Sequence, residues 1–267
     1  MAASPGPGSP GKGAGPVKNK GLAYVLAVLL VAAGGFLAYR HFYRPAAPPQ
    51  VENRYQRGHN ISGKLYWAGC AQDKMVALTF DDGPEDYWTP RVLDVLKGKQ
   101  VKATFFVIGR QADKFPAMLR RIDAEGHIVG DHTYNHVDLT RVTTEQAAAE
   151  LDKCATTIQK VIGRTPRLVR PPFGFHNQAV DDIVYSRQRV IVLWSLDTED
   201  WTGADAAAVR ARVVPKMANG FIVLQHDGEN PKLGGSLQAL PAMIDELKAK
   251  GFSFVTIPEL LAIEPYL

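Results

Sequence analysis

Asp81 and Asp82 stand side by side in TFDDGP (residues 79–84), and His132 and His136 follow in HTYNH (residues 132–136). Zinc-like divalent ions take a few nitrogen and oxygen ligands and keep a position open for water, and hydrolysis at such a site needs a separate general base. Two carboxylates and two imidazoles suffice for both, one aspartate joining the histidines on the ion and the other taking the proton. Three further blocks carry polar residues that such a reaction could use: Arg170 in RPPFG (170–174), Asp197, Asp200 and Trp201 in DTEDW (197–201), and His226 in LQHD (224–227). Each block also has a plainer reading. Asp-Asp-Gly-Pro after a strand makes a turn with a capping carboxylate, and RPPFG makes a rigid loop. DTEDW makes a solvated loop, and a lone histidine at a strand end is commonly a hydrogen-bonded structural group. The two histidines can share a helical face or a turn. Order and placement along the chain favour the chemical reading.

The elements that must position these residues alternate. Short apolar runs at 75–80, 103–108, 128–130, 168–170, 190–194, 221–224 and 252–256 read as buried strands. Helical stretches lie between them, the clearest at 144–162. There Thr143 and Gln146 form a capping box, Leu151, Ala155, Ile158 and Ile162 recur at helical spacing, and Gly163 closes the helix. About seven strand–helix units predict a parallel α/β sheet, either doubly wound or closed into a barrel. Asp81, His132, Arg170, Asp197 and His226 each fall just after a predicted strand. A barrel gathers such strand ends on one face, so the barrel is the expected form.

The 267 residues, 46% hydrophobic and 22% charged, suit one sizeable core with an extension. Residues 1–20, rich in Gly, Pro, Ala and Ser, are expected to be disordered. Residues 21–39, GLAYVLAVLLVAAGGFLAY, give about 19 uncharged residues, enough to span a bilayer, and read as a membrane anchor. The alternative is a signal peptide cleaved near Val31-Ala32-Ala33. Lys12, Lys18 and Lys20 before the segment and Arg40 and Arg44 after it give only a slight bias to an inside N-terminus. Residues 40–72 read as a linker and 73–267 as the catalytic domain. The net charge of +4 is spent partly on the extension, so it makes no case for nucleic acid. Cys70 and Cys154 are too few for a structural zinc cluster and would pair only if exported and close together.

TFDDGP, HTYNH, RPPFG, DTEDW and LQHD, in that order, resemble the five motifs of the NodB-homology polysaccharide deacetylases, carbohydrate esterase family 4. The resemblance covers roughly residues 73 to 262 and implies a distorted (β/α) barrel. It also implies removal of acetyl groups from N-acetylated sugars of chitin or peptidoglycan, or from O-acetylated xylan. By resemblance Asp82, His132 and His136 bind the divalent metal, usually Zn2+ and sometimes Co2+, and Asp81 is the general base. Strand alternation, which sends neighbouring side chains to opposite sides, suits that division. Arg170 is then expected to orient the base, and the backbone N–H of Phe173 to join the metal around the tetrahedral oxyanion. His226 is expected to act as the general acid held by Asp197, and Trp201 and Leu224 to line an acetyl pocket. Phe173 stands where many relatives have Tyr, Gln225 where an apolar residue is common, and Asp131 where Asn or Ser is frequent. Asp131 is read as a strand-end carboxylate, its alternative being to orient a ligand histidine. Tyr87, Trp88, Tyr134 and Phe175, beside the motifs, are candidates to stack on sugar rings.

The resulting expectation is a membrane-anchored N-deacetylase facing outward from the cytoplasm, acting on N-acetylglucosamine units of an envelope polysaccharide, with peptidoglycan the leading substrate. A chitooligosaccharide or poly-N-acetylglucosamine deacetylase and a noncatalytic glycan-binding module are the alternatives.

Overall fold

The computed structural model describes Met1 and residues 64–69, 73–228 and 230–267. The chain divides into two units, Met1–Val51 and Glu52–Leu267, and every element below belongs to the second. Apart from Met1, the expected tail at 1–20, the expected anchor at 21–39, most of the expected linker at 40–72 and Cys70 lie outside the described residues. Among the described residues no helix is long and apolar enough to cross a membrane, and Cys154 is a buried free thiol.

In chain order the elements are β1 (Leu65–Tyr66), β2 (Met75–Asp81), α1 (Trp88–Gly98), β3 (Thr104–Val107), α2 (Gly109–Lys114), α3 (Pro116–Ala124), β4 (Ile128–Asp131), α4 (Thr144–Ile162), β5 (Leu168–Val169), α5 (Gln178–Ser186) and β6 (Val190–Val192). There follow β7 (Leu196–Asp197), α6 (Ala206–Val213), β8 (Ile222–His226), α7 (Gly234–Ala249), β9 (Ser253–Phe254) and α8 (Ile257–Leu261). The strands pair in the order β1–β6–β5–β4–β3–β2–β8–β7, with β9 on the start of β2, and every pairing is parallel. Parallel neighbours need long crossovers, which the helices supply. The sheet curls. Ala68 bridges Phe221, and Ser195 Oγ donates to the Trp67 carbonyl, so the β1 end is drawn toward β8.

Alternation along β2 explains the layers. Leu78 and Phe80, with Phe105, Val107, Val129 and Val223, face the helices and pack on Leu93 and Leu96 of α1, Ile122 of α3 and Ile244 of α7. Ala77, with Phe106, Leu168, Val192 and Ile222, faces the inside of the curl, where Ile257 and Leu260 of α8 close it. The same period carries the inner row of β2 through Thr79 to Asp81, and the inner row of β8 from Ile222 to His226. Polar chemistry thus emerges at the carboxyl ends of strands whose other inner residues are apolar, the place barrel-type folds use for sites. Both short strands that sequence periodicity does not mark, β1 and β7, are edge elements, and β1 falls inside the segment read as linker.

Candidate metal centre and its reaction partners

β2 ends at Asp81, and Asp82 follows in the left-handed region at φ 77°. That reversal overrides strand alternation: the two carboxylates do not diverge but converge on one histidine. Asp81 Oδ2 lies 3.8 Å from His132 Nε2, and Asp82 Oδ1 lies 3.4 Å from the same nitrogen and 3.3 Å from His136 Nε2. The histidines sit on a turn after β4, not on a helix, with Thr133 at φ 65° and His136 at φ 60°. Glycines allow the close approach of the strand-end segments. A Cβ on Gly228 would lie 2.3 Å from Asp82 Cβ, and one on Gly83 would lie 2.5 Å from Asp227 Oδ2.

Asp82, His132 and His136 each offer a ligand atom, all within 4.8 Å of one another. Two atoms bound about 2.0–2.1 Å from a tetrahedral zinc lie about 3.4 Å apart, which matches the carboxylate-to-imidazole separations. Asp82 Oδ1 is also a buried oxygen with no hydrogen-bond partner, an acceptor that a cation would satisfy. The residues therefore fit a divalent ion. Burial would raise the Asp82 carboxyl, but His132, with His226 and His136 behind it, holds it well below the usual carboxylate range. Burial lowers His136, with charged His132 adding, to about 4. His132 moves up, because Asp81 and Asp82 outweigh its desolvation. An anionic Asp82 and a neutral His136 are the forms that ligate.

Arg170 is fully buried and organises the base side. Its Nη1 donates to Asp81 Oδ1 at 2.7 Å and to Thr79 Oγ1 at 2.8 Å, while Nε and Nη2 donate to the carbonyls of Val192 and Leu193 at 3.0 Å each. Its guanidinium lies 4.0 Å from the Phe106 ring centre. A planar fork with fixed donors is suited to such a post. The Arg170 carbonyl also meets His132 Nδ1 at 2.6 Å. A carbonyl only accepts, so Nδ1 carries the hydrogen, which leaves the Nε2 lone pair for a cation shared with Asp82.

On the acid side the expected partner of His226 is displaced. Asp200, not Asp197, holds it: Asp200 Oδ1 lies 2.7 Å from His226 Nδ1, and Asp200 Oδ2 accepts the His226 backbone N–H at 3.0 Å. Asp197 Oδ1 instead accepts the Glu199 N–H at 2.7 Å, because β7 ends there and its carboxylate closes the following turn. Burial lowers the His226 imidazolium, but Asp200 and the more distant Asp82 and Asp81 outweigh it and push it up to about 9. A cation at Asp82 would weaken that pull. In sequence DTEDW offers two equivalent carboxylates, and nothing local separates them.

The outer residues are less uniform. Phe173 (φ 60°) and His136 pack in a T-shaped arrangement with ring centres 4.8 Å apart, and both Phe173 and Trp201 are about half exposed. Leu224 is buried. Tyr134 is partly buried against the core, its hydroxyl donating to Asp113 at 2.9 Å at the surface and Lys153 lying 3.6 Å from its ring centre. Tyr87 is exposed, with the Arg91 guanidinium 3.9 Å from its ring centre, and Trp88 meets it edge-on. Sequence reasoning missed Asp227, fully buried beneath the site, which accepts from Thr89 Oγ1 at 2.6 Å. Burial, with Asp82, Glu85 and Asp81 adding, pushes its carboxyl up to about 8. Its place in LQHD, directly after His226, was the available signal.

A family model described as polysaccharide deacetylase matches residues 68–188. A Bacillus cereus peptidoglycan-N-acetylglucosamine deacetylase is 40% identical over 185 residues, 69% of this chain and 67% of that one. The Listeria monocytogenes peptidoglycan-N-acetylglucosamine deacetylase PgdA is 38% identical over 188 residues, 70% of this chain. The match spans only 39% of that longer relative. A crystal structure of a peptidoglycan N-acetylglucosamine deacetylase, in complex with a naphthalenyl N-oxidanyl-benzamide, superposes with a TM-score of 0.75 at 36% identity, covering 76% of this chain and 95% of the other.

Proposed function

This chain belongs to the polysaccharide deacetylase family, and from that membership we propose that it is a metal-dependent hydrolase removing acetyl groups from N-acetylglucosamine units of peptidoglycan. The observation that carries the reading is the convergence of Asp81, clamped by Arg170, on the Asp82–His132–His136 cluster, with Asp81 and His226 paired in register on adjacent strands. The peptidoglycan substrate follows from what the relatives are named for.

Asp82, His132 and His136 would hold the divalent ion, with zinc the best fit to two imidazoles and a carboxylate. Such an ion, when bound, polarises an acetyl carbonyl and acidifies water. Asp81 has Oδ1 committed to Arg170, so Oδ2 is the atom that takes the proton from the attacking water. An amine leaves poorly as an anion, so it must be protonated as the C–N bond breaks. His226, with Nδ1 bound by Asp200, delivers that proton from Nε2. The backbone N–H of Phe173 assists the oxyanion, and Trp201 and Leu224 border the acetyl methyl. Trp88 and Phe175 remain candidates to stack on the sugar, together with Tyr87. Residues 21–39 tether the domain at the outer face of the cell membrane. Cleavage near Ala33 would instead release it.

Acetate release by the purified domain, assayed on peptidoglycan, chitin oligomers, poly-N-acetylglucosamine and acetylated xylan, tests the proposal. Release from peptidoglycan should stop with chelator and return with zinc. Turnover indifferent to chelation sinks the metal mechanism, and release confined to another glycan reassigns the substrate.

A further inference from the structure

The turn that carries both metal-binding histidines is held by a buried ion pair that has no part in the reaction steps above. Thr133 and His136 both have positive φ, at 65° and 60°. For a β-branched residue such as Thr133 this is a rare and costly conformation that persists only where its surroundings impose it. Asp131, the last residue of β4, imposes it. Its Oδ1 accepts the Thr133 N–H at 2.8 Å, and Thr133 Oγ1 in turn accepts the His136 N–H at 3.0 Å. Asp131 does not reach the His132 ring, whose Nδ1 is taken by the Arg170 carbonyl.

Asp131 is fully buried, and its Oδ2 meets Arg189 Nη1 at 3.2 Å. Arg189 is 6% exposed, immediately precedes β6, and shares Nη1 with the Leu151 carbonyl of α4 at 3.4 Å. The carboxylate is thus fixed from behind by a cation anchored to a different strand and to a helix. A buried pair of this kind is weak evidence for stability but a recognised way to fix one arrangement among several. Here the arrangement fixed is the approach of His132 and His136 to Asp82.

We infer that Asp131 and Arg189 are positioning residues that set the spacing of the two histidine ligands and thereby the affinity of the centre for its divalent ion. The inference rests on the reading of Asp82, His132 and His136 as the metal ligands.

The test is the zinc dissociation constant of the full chain, measured by competition with a chromophoric chelator, beside the thermal midpoint of the chelated protein. Asp131→Ala and Arg189→Met should each weaken zinc binding by roughly 10- to 100-fold, the range for partners of ligand residues. Asp131→Asn, which keeps an acceptor for the Thr133 N–H, should lose less, and Arg189→Lys should recover part of the Arg189→Met loss. Thr143→Ala, which loosens the start of α4 about two turns before its Glu150 and Leu151 contacts, calibrates how far lost stability alone moves affinity. Variants that melt earlier when chelated yet bind zinc as the wild type does would make the pair a structural bridge and overturn the inference. If Asp131→Ala does not fold, Asp131→Asn and Arg189→Lys decide, and wild-type affinity in both overturns it. A wild-type protein that binds no zinc would instead refute the ligand assignment, and the inference with it.

Discussion

Stripping Asp200 of its charge removes the main support of the His226 proton. A general acid works while protonated, so rate should hold below the His226 pKa and fall as pH rises through it. In Asp200→Asn the burial of His226 is no longer offset, its pKa drops, and the alkaline limb of the pH–rate profile should move to lower pH with a lower kcat. An unmoved limb would assign it to another group. The same group links folding to pH. A histidine raised from its ordinary value to about 9 stabilises the fold fully below about 6.5, and that contribution is lost as pH rises toward 9. Urea midpoints of chelated protein should therefore fall across that window in the wild type and fall less in Asp200→Asn. Asp81→Asn should retain zinc but lose on the order of 10²–10⁴-fold in acetate release. Zinc lost with that substitution would mean the adjacent aspartates have exchanged roles. At this scale the motifs were legible and the pairings within them were not. The Asp200–His226 contact and the Asp131–Arg189 pair join residues that only the fold brings together.

Helix α4 was legible in full because its signals are local. Thr143 and Gln146 form both halves of the capping box, Gly163 closes the helix in the left-handed region, and Leu151, Ala155 and Ile158 are buried. Replacing Thr143 with Ala should cost about 1 kcal/mol in chemical denaturation, the usual value of a cap. Strands β1 and β7, two residues each at the sheet edges, escaped, whereas β5 and β9, equally short, were found inside the longer apolar runs at 168–170 and 252–256. The turn between the histidines was open to a helical reading because spacing alone does not report φ. Close approach of elements was equally silent in the sequence. A methyl on Gly228 has nowhere to go but into Asp82, so Gly228→Ala should destabilise the fold by about 1–3 kcal/mol, as overpacking does, and weaken zinc binding as well. Denaturation together with the zinc competition assay checks both. Unchanged affinity would show that the backbone moves rather than the carboxylate.

The whole chain joins a polysaccharide deacetylase domain to an N-terminal extension whose proposed role is location. Removal of residues 1–63 should leave acetate release from soluble N-acetylglucosamine oligomers unchanged and move the protein out of the membrane fraction. Full-length protein with an intact N-terminus in the soluble fraction would refute the tether. The parallel architecture was readable from alternating strand and helix patterns, whereas the order of the strands and the stitching of Ala68 to Phe221 were not, since these depend on long-range pairing. One pairing bears on how such a chain can change length. Asp81 and His226 are direct partners across the β2–β8 ladder, so the gap between them is the spacing of neighbouring strands, about 4.8 Å, and no loop sets it. An insertion or deletion of one residue within either strand slips the register and turns one of the two side chains to the opposite face. Growth and shortening are therefore open to the segments beyond the strand ends and closed to the two strands that carry Asp81 and His226.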